Sequence, residues 1–198
     1  EAHMDAAAID QSLDVTLNRD LSDRLVFALG IRLERGLFSQ PVVRSQNIIR
    51  IWPPTENPRT PEEKEVKNLL SRSAPEDLRT ALDTGRIPVI FPQGTRAGAD
   101  QVMLPARASV IAVFDEIDVD YIFPVALQGT QNILPRGGRP QRGSYSVTYC
   151  DPIDYHALQD EHSDKHSKRY REAMMDAIMI PIAAVHPENQ RGPYATKV

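Results

Sequence analysis

Only one of the 198 residues is a cysteine, Cys150. That excludes an intrachain disulfide, and it leaves a structural zinc site without a second thiolate. A basic excess is also missing. The 23 Lys and Arg face 27 Asp and Glu, a formal net charge of -4. Such a balance gives no overall pull toward DNA, RNA or an anionic membrane, so no nucleic-acid partner is expected; it leaves open a local basic cleft. Long apolar runs are absent as well. The longest, Ile178 to Val185 and Ala108 to Phe114, fall well short of the roughly 18 residues of a membrane span. No serine stands in a Gly-x-Ser-x-Gly elbow, so a hydrolase nucleophile of that kind is unsupported. The phosphate-binding Gly-x-x-x-x-Gly-Lys-Ser/Thr loop and the dinucleotide Gly-x-Gly-x-x-Gly fingerprint are missing too.

What is present is globular: 41% hydrophobic and 25% charged residues, enough apolar mass for a core in a single domain spanning 1–198. The 16 prolines stand mostly beside strand-like runs and read as turns and boundaries. Asp5 to Leu13 is Ala-rich and suits the start of a helix. Leu21 to Leu29 carries a helical face but ends in a strand-like Val-Phe-Ala-Leu. Asn47 to Trp52 is β-branched and reads as a strand. Thr60 followed by Pro61, Glu62 and Glu63 predicts a helix start, with Thr as the cap and acids at the positive dipole end. That helix is expected over Glu62 to Ser73 and a second over Pro75 to Thr84, closed by Gly85. Ile87 to Phe91 and Tyr121 to Leu127 read as buried strands and Ser144 to Tyr149 as a more exposed one. Ala108 to Glu116 reads as a helix, and Ser163 to Val185 as a long helical region broken at Pro181. The order predicts an α/β fold with a mixed, mostly parallel central sheet flanked by helices.

The segment that carries chemistry follows the strand Ile87 to Phe91: Pro92-Gln93-Gly94-Thr95-Arg96-Ala97-Gly98-Ala99-Asp100. Loops beyond the carboxyl ends of strands form the ligand crevice in α/β proteins. Gly94 and Gly98 let the backbone turn and expose N–H groups, Thr95 adds a hydroxyl, and Arg96 adds a planar fork suited to phosphate or carboxylate. The same pattern also suits a plain surface turn with a solvated arginine. Phe123-Pro124-Val125-Ala126-Leu127-Gln128-Gly129-Thr130 is a second strand end of similar build. The basic, glycine-rich stretch Pro135 to Gly143 is either an anion contact or a solvated connection. Arg50, inside the strand Asn47 to Trp52, faces either solvent or a ligand. His162 and His166 lie among Asp160, Glu161, Asp164 and Lys165, which suits a charged surface better than a metal site, and no metal is expected.

Phe91-Pro92-Gln93-Gly94-Thr95-Arg96 resembles the Phe-Pro-Glu-Gly-Thr-Arg motif of the glycerolipid acyltransferases, the glycerol-3-phosphate and 1-acylglycerol-3-phosphate acyltransferases. Phe123 to Gly129 resembles their later Val-Pro-Val-Ala-x-x-Gly strand, with Gly129 as its glycine. Tyr149-Cys150-Asp151-Pro152-Ile153 is similar to the strand-to-turn that follows, and His186 to Tyr194 is similar to a bacterial tail pattern, Pro-x-Glu-x-x-Gly-x-Tyr. The resemblance covers most of the chain from about Leu25 onward, and only the six-residue motif is fairly specific.

The resemblance implies transfer of a fatty acyl group from acyl-CoA or an acyl-carrier protein, with no bound cofactor, to glycerol-3-phosphate or a lysophospholipid acceptor. It implies phosphate binding by Gly94, Thr95, Arg96 and, on a weaker match, Arg50. The family's catalytic motif is His, four residues, then Asp. His3 fails as its start because Ala8 stands at the matching position. Asp5 fits as its end if a histidine immediately precedes Glu1, and the expectation is that the chain starts one residue inside that motif. The alternative is that Glu1 to Met4 is a vector-derived scar. The histidine would be the general base and Asp5 would orient it.

Gln93 departs from the family's usual Glu and removes a charge beside Arg96, which puts rate or acceptor choice in doubt. Lipid substrates imply a cytoplasmic protein with peripheral membrane contact. A helix within Leu17 to Phe38 would serve for that contact, or else as a plain core helix. Two rival readings stand. One is a catalytically weak homologue that binds a phospholipid or phosphate. The other is a different phosphate-handling α/β enzyme using His156 or His186 as base.

Overall fold

A computed structural model describes residues 3–16, 19–31, 47–52, 56–94, 100–133, 139, 141–162, 164 and 167–198. The fold is mixed α/β, and the chain forms two compact units, 1–95 and 96–198.

The first unit opens with helix α1 (His3–Thr16) and the short helix α2 (Arg19–Asp23), joined by a hydrogen bond from the Ser22 hydroxyl to the Asp10 carboxylate. Strand β1 (Leu25–Gly30) follows, then β2 (Ile48–Ile51), helix α3 (Pro61–Asp83) and β3 (Ile87–Val89). The strands form one parallel sheet in the order β2-β1-β3, with Phe27 level with Ile48 on one side and with Val89 on the other. Five consecutive β1 residues, Leu25 to Leu29, are buried. Burial of every residue rather than every second one marks a strand covered on both faces, as parallel sheets require. Residues 19–31 thus divide into a short helix and the central strand. Of the helix expected within Leu17 to Phe38, the described residues show only the short α2, and residues 17–18 and 32–38 lie outside the described residues.

Helix α3 starts as its cap residues dictate. Thr60 Oγ1 accepts from the Glu63 N–H at 3.2 Å, and Glu63 Oε2 accepts from the Arg59 N–H at 2.7 Å. It ends at Gly85, φ +73°, where the Gly85 N–H donates to Leu82 O and the Arg86 N–H to Ala81 O. That paired arrangement satisfies two otherwise orphaned carbonyls, and the left-handed φ favours glycine. The expected break at Pro75 is not observed; one helix runs through it. Its inward stripe of Val66, Leu70, Ser73, Ala74, Leu78 and Ala81 keeps phase across the proline. Burial of both halves on one sheet outweighs the single hydrogen bond the proline removes.

The second unit contains helix α4 (Ser109–Ile117), β4 (Tyr121–Ile122), β5 (Val125–Gln128), the short α5 (Thr130–Ile133), β6 (Ser146–Tyr149), β7 (Ile153–Asp154), α6 (Tyr155–Asp160) and α7 (Lys168–Val185). Two 3-10 turns, Glu188–Gln190 and Gly192–Tyr194, close the chain. Strand β4 pairs antiparallel with β7, and β5 with β6. The expected strand Tyr121 to Leu127 is therefore interrupted. Phe123 and Pro124 stand opposite three residues, Cys150, Asp151 and Pro152, so the ribbon carries an extra residue where two prolines lack ladder donors. Pro124 still accepts from the Cys150 N–H at 2.9 Å.

Helix α7 supplies most of this unit's core through Tyr170, Met174, Met175, Ile178, Met179 and Ala183, spaced as one helical face. It too runs unbroken through its proline, Pro181, contrary to expectation. The core stripe continues on both sides of it.

Asp115 in α4 ties three helices together. Its Oδ1 accepts from the Tyr155 hydroxyl at 2.7 Å, the Gln159 amide at 2.8 Å and the Tyr170 hydroxyl at 3.0 Å. Burial first, then the hydrogen bond to Asp115, pushes the Tyr155 phenol well above its ordinary value of 10.0, and Tyr170 is raised by the same two causes in that order. The folded state thus prefers the neutral phenols. Their contribution to stability is complete below the unfolded value near pH 10 and is lost as pH climbs from there toward the higher folded value. The urea midpoint should hold steady from pH 8 to 9 and fall by pH 11. Tyr155→Phe should flatten that fall, and an equal pH slope in the variant would refute the assignment.

Candidate functional site

The parallel strands of the first unit place their carboxyl ends along one edge of the sheet. At that edge the central strand ends at Gly30, β2 ends at Ile51, and β3 leaves the ladder after Val89. The chain then turns through Phe91-Pro92-Gln93-Gly94. The Gly94 N–H donates to Phe91 O at 3.0 Å, closing a four-residue turn with proline in its favoured second position. Gly94 itself has φ +69°, a left-handed conformation that a side chain would strain. The sequence expectation of a tight glycine turn at this strand end is met. Thr95 and Arg96 lie outside the described residues.

Arg50 is level with Leu29, one residue short of the end of the central strand. Arg50 and the turn after β3 therefore flank β1 from opposite sides of the same edge, about 10 Å apart at two strand spacings. Asp5 lies in the first turn of α1 and is 9% exposed. A buried acid there is favoured by the unpaired N–H groups and positive dipole end of the helix.

Gly129 lies in the second unit at φ +85°, where a Cβ would sit 2.5 Å from Ser144 O. It lets the chain leave β5 pressed against the backbone that leads into β6. The preceding Gln128 donates to Val185 O at 3.3 Å and accepts from the Ser146 hydroxyl at 3.2 Å. Gly129 thus serves packing in its own unit.

The histidines proposed as alternative bases are engaged elsewhere. His186 presents Nδ1 to Ile182 O at 2.9 Å and Nε2 to Leu127 O at 3.3 Å. His156 Nε2 lies 3.4 Å from Asp120 and 4.0 Å from Asp118 on an exposed surface. His162 packs edge-on against Tyr170, and His166 lies outside the described residues. Burial, then the charge of Asp151, raises the Cys150 thiol above its ordinary value. That disfavours the thiolate a nucleophile needs. Among the described residues, no group of three or more His, Cys, Asp and Glu could hold a metal, and no helix is long and apolar enough to cross a membrane.

A groove of about 730 Å³ lies under α3, with Val26, Ile49 and Ala81 as apolar lining and Asp77, Thr80 and Arg86 as polar lining. Arg50 also lines it, together with Asn47 and Arg86 from the amino ends of β2 and β3. Of the residues expected to bind phosphate, Arg50 lines this groove and Gly94 does not.

Sequence reasoning missed two features of this kind. One is the Asp115 hub, signalled only by an acid four residues after the buried Ile111 on a mainly apolar helix. The other is the close approach of Gly192 to Met103, where a Cβ would lie 2.1 Å from the Met103 carbonyl oxygen.

The fold and its edge define an α/β protein with a tight glycine turn beyond a parallel strand. Compared with known proteins, the chain matches no family model and no curated protein.

Proposed function

We propose that this protein is an acyltransferase. It would move a fatty acyl group from an acyl thioester, carried on coenzyme A or a carrier protein, to a hydroxyl of glycerol-3-phosphate or its monoacyl form. One observation carries the reading: strand β3 runs directly into the Phe91-Pro92-Gln93-Gly94 turn at the carboxyl edge of a parallel sheet, with Gly94 left-handed, Thr95-Arg96 next in sequence, and Arg50 on the same edge. In this reading the guanidinium groups of Arg50 and Arg96 would supply the positive charge and planar donors that a phosphate dianion needs.

In this reading the acceptor phosphate is held by Gly94, Thr95, Arg96 and Arg50. An imidazole oriented by Asp5 takes the proton from the acceptor hydroxyl as its oxygen attacks the thioester carbonyl. The tetrahedral adduct collapses, the carbon–sulfur bond breaks, and the thiolate leaves and takes up that proton. Gln93 is neutral where the resembling motif carries Glu. That favours a second reading, a slow or inactive phosphate binder on the same turn.

An acyl-transfer assay with acyl-CoA and with an acyl-carrier protein, on glycerol-3-phosphate and on lysophosphatidate, separates the two. Turnover supports the first; phosphate-dependent binding without turnover supports the second. In the active protein, Arg96→Ala should lower kcat/KM for the acceptor by about 10- to 150-fold, the value of one charge-assisted hydrogen-bonded contact of about 1.5–3 kcal/mol. Unchanged acceptor kinetics would remove Arg96 from the site.

A further inference from the structure

The strands of the second unit carry an aromatic face opposite helix α7. Along the chain from Tyr121 to Leu127, Pro124 and Ala126 are buried, while Tyr121 and Phe123 are 57% and 63% exposed. The alternation puts Tyr121, Phe123, Val125 and Leu127 on one side and Ala126 and Gln128 on the other. Helix α7 takes the Ala126 side, where the Gln128 amide donates to Val185 O at 3.3 Å. Strand β6 adds to the opposite side: Tyr149 pairs with Val125 and Val147 with Leu127, and residues directly across a ladder share a face. Tyr121, Phe123 and Tyr149 are three of the five large exposed hydrophobic side chains among the described residues, and they stand together on one short ribbon. Scattered exposed apolar residues are ordinary, but a contiguous group marks an interaction surface.

The charges around this face are sorted. From Ala108 to Pro135, and again from Gly143 to Asp164, the sequence holds no Lys or Arg. Asp118, Asp120 and Asp154 gather at the β4–β7 end. Asp154 is level with Tyr121, and Asp118 and Asp120 both face His156 Nε2, at 4.0 and 3.4 Å. Between the two acidic stretches, Pro135 to Gly143 has three arginines and no acid. Two of them, Arg139 and Arg142, are exposed. They lie by the other end of the ribbon, where the Gln141 N–H donates to Ile133 O at 2.7 Å and the Ser144 backbone rests on Gly129 just past β5. The two ends are about 20 Å apart at the rise of a strand. That is more than twice the Debye length of about 8 Å at physiological salt, so they do not neutralise each other across solvent.

Such a face is complementary to itself. A second copy, turned end for end by a two-fold axis near the Val125–Tyr149 pair, sets each acidic end on a basic end and lays Phe123 of each copy over the Leu127–Val147 pair of the other. An anionic lipid surface fits less well, because the acids lie beside the aromatic half. We propose that this ribbon face is a homodimer interface, with Phe123 as its apolar anchor and the Asp118–Asp120 end of each copy against the Arg139–Arg142 end of the other. The pairing does not depend on the acyltransferase reading.

Sedimentation equilibrium of the full chain over about a thousandfold range of concentration tests it. The mass should rise from 22.2 kDa to twice that value and no further. Phe123→Ala should weaken the pair by about 30-fold or more, the loss expected of a central aromatic anchor, and should leave the circular dichroism unchanged because the ring is exposed. Arg142→Asp and Asp120→Arg should each weaken it by about fivefold or more, since each contact occurs twice in the pair. The double variant should recover most of that loss.

A mass of 22.2 kDa throughout overturns the dimer; loss of phosphatidylcholine-vesicle binding in Phe123→Ala would then assign the face to lipid. A mass that grows beyond two copies overturns the closed two-fold pairing. Wild-type association in Phe123→Ala removes this face from the interface, and a double variant no tighter than the single ones overturns the end-for-end register.

Discussion

Asp5→Asn is expected to lower kcat by about 10³- to 10⁴-fold, the loss that follows when the orienting acid of a serine-protease triad becomes its amide. The substitution changes almost no volume. At 9% exposure in the first turn of α1, Asp5 has little room to be replaced by water or a neighbouring acid. Its stability cost is small by comparison: loss of a charge at a helix N-terminus is worth about 0.3–1 kcal/mol, against about 4–5.5 kcal/mol for the catalytic loss. The two magnitudes make the outcome easy to read. A large fall in kcat with a nearly unchanged melting temperature supports an orienting carboxylate. A kcat within tenfold of wild type, with acceptor KM unchanged, leaves Asp5 as a helix-terminal acid and nothing more.

Asp115→Ala is expected to be the most damaging single change to the second unit, at about 3 kcal/mol, because it strands donors that have been withdrawn from water. Tyr155, Gln159 and Tyr170 all donate to one oxygen of this carboxylate, and Tyr155 is 1% exposed. The three donors come from α6 and α7 and the acceptor from α4, so the loss loosens the junction of three helices rather than one contact. In a protein of this length that corresponds to a fall in Tm of roughly 10 °C. Asp115→Asn keeps an acceptor oxygen and should cost about a third as much, near 1 kcal/mol. Thermal melts of both variants check the claim, and equal melting of Asp115→Ala and wild type would refute it.

Features written in neighbouring residues were legible in the sequence. Thr60-Pro61-Glu62-Glu63 caps α3 as read, Gly85 ends it as read, and the Gly94 turn follows β3 as read. Each depends on backbone preference within three or four residues. The prolines at 75 and 181 were misread for the same reason. A local rule says that proline ends a helix, but the inward stripe that overrides it spans the whole helix and is realised only against a core. Helix α6 went unread although Asp154, whose carboxylate accepts from the Ala157 N–H at 2.9 Å, is a regular cap residue. Its six residues are too few to show a helical period. The extra residue opposite Phe123 and Pro124 was hidden because it exists only in the pairing of two strands.

The sequence by itself determined the mixed α/β class and the glycine turn that follows β3, although the strand stops at Val89, two residues before the expected Phe91. Tertiary structure alone decided that Arg50 shares an edge with that turn. It did so through the order β2-β1-β3, which no local pattern specifies. It likewise decided that Gly192 and Tyr194 lie on Met103 and Ala106, and that Asp115 gathers three donors. The division has one cause. Turn and cap conformations are selected by sterics and hydrogen bonds among adjacent residues. The meeting of segments tens of residues apart is selected by burial summed over the whole unit, in which no single residue carries enough free energy to announce its partner.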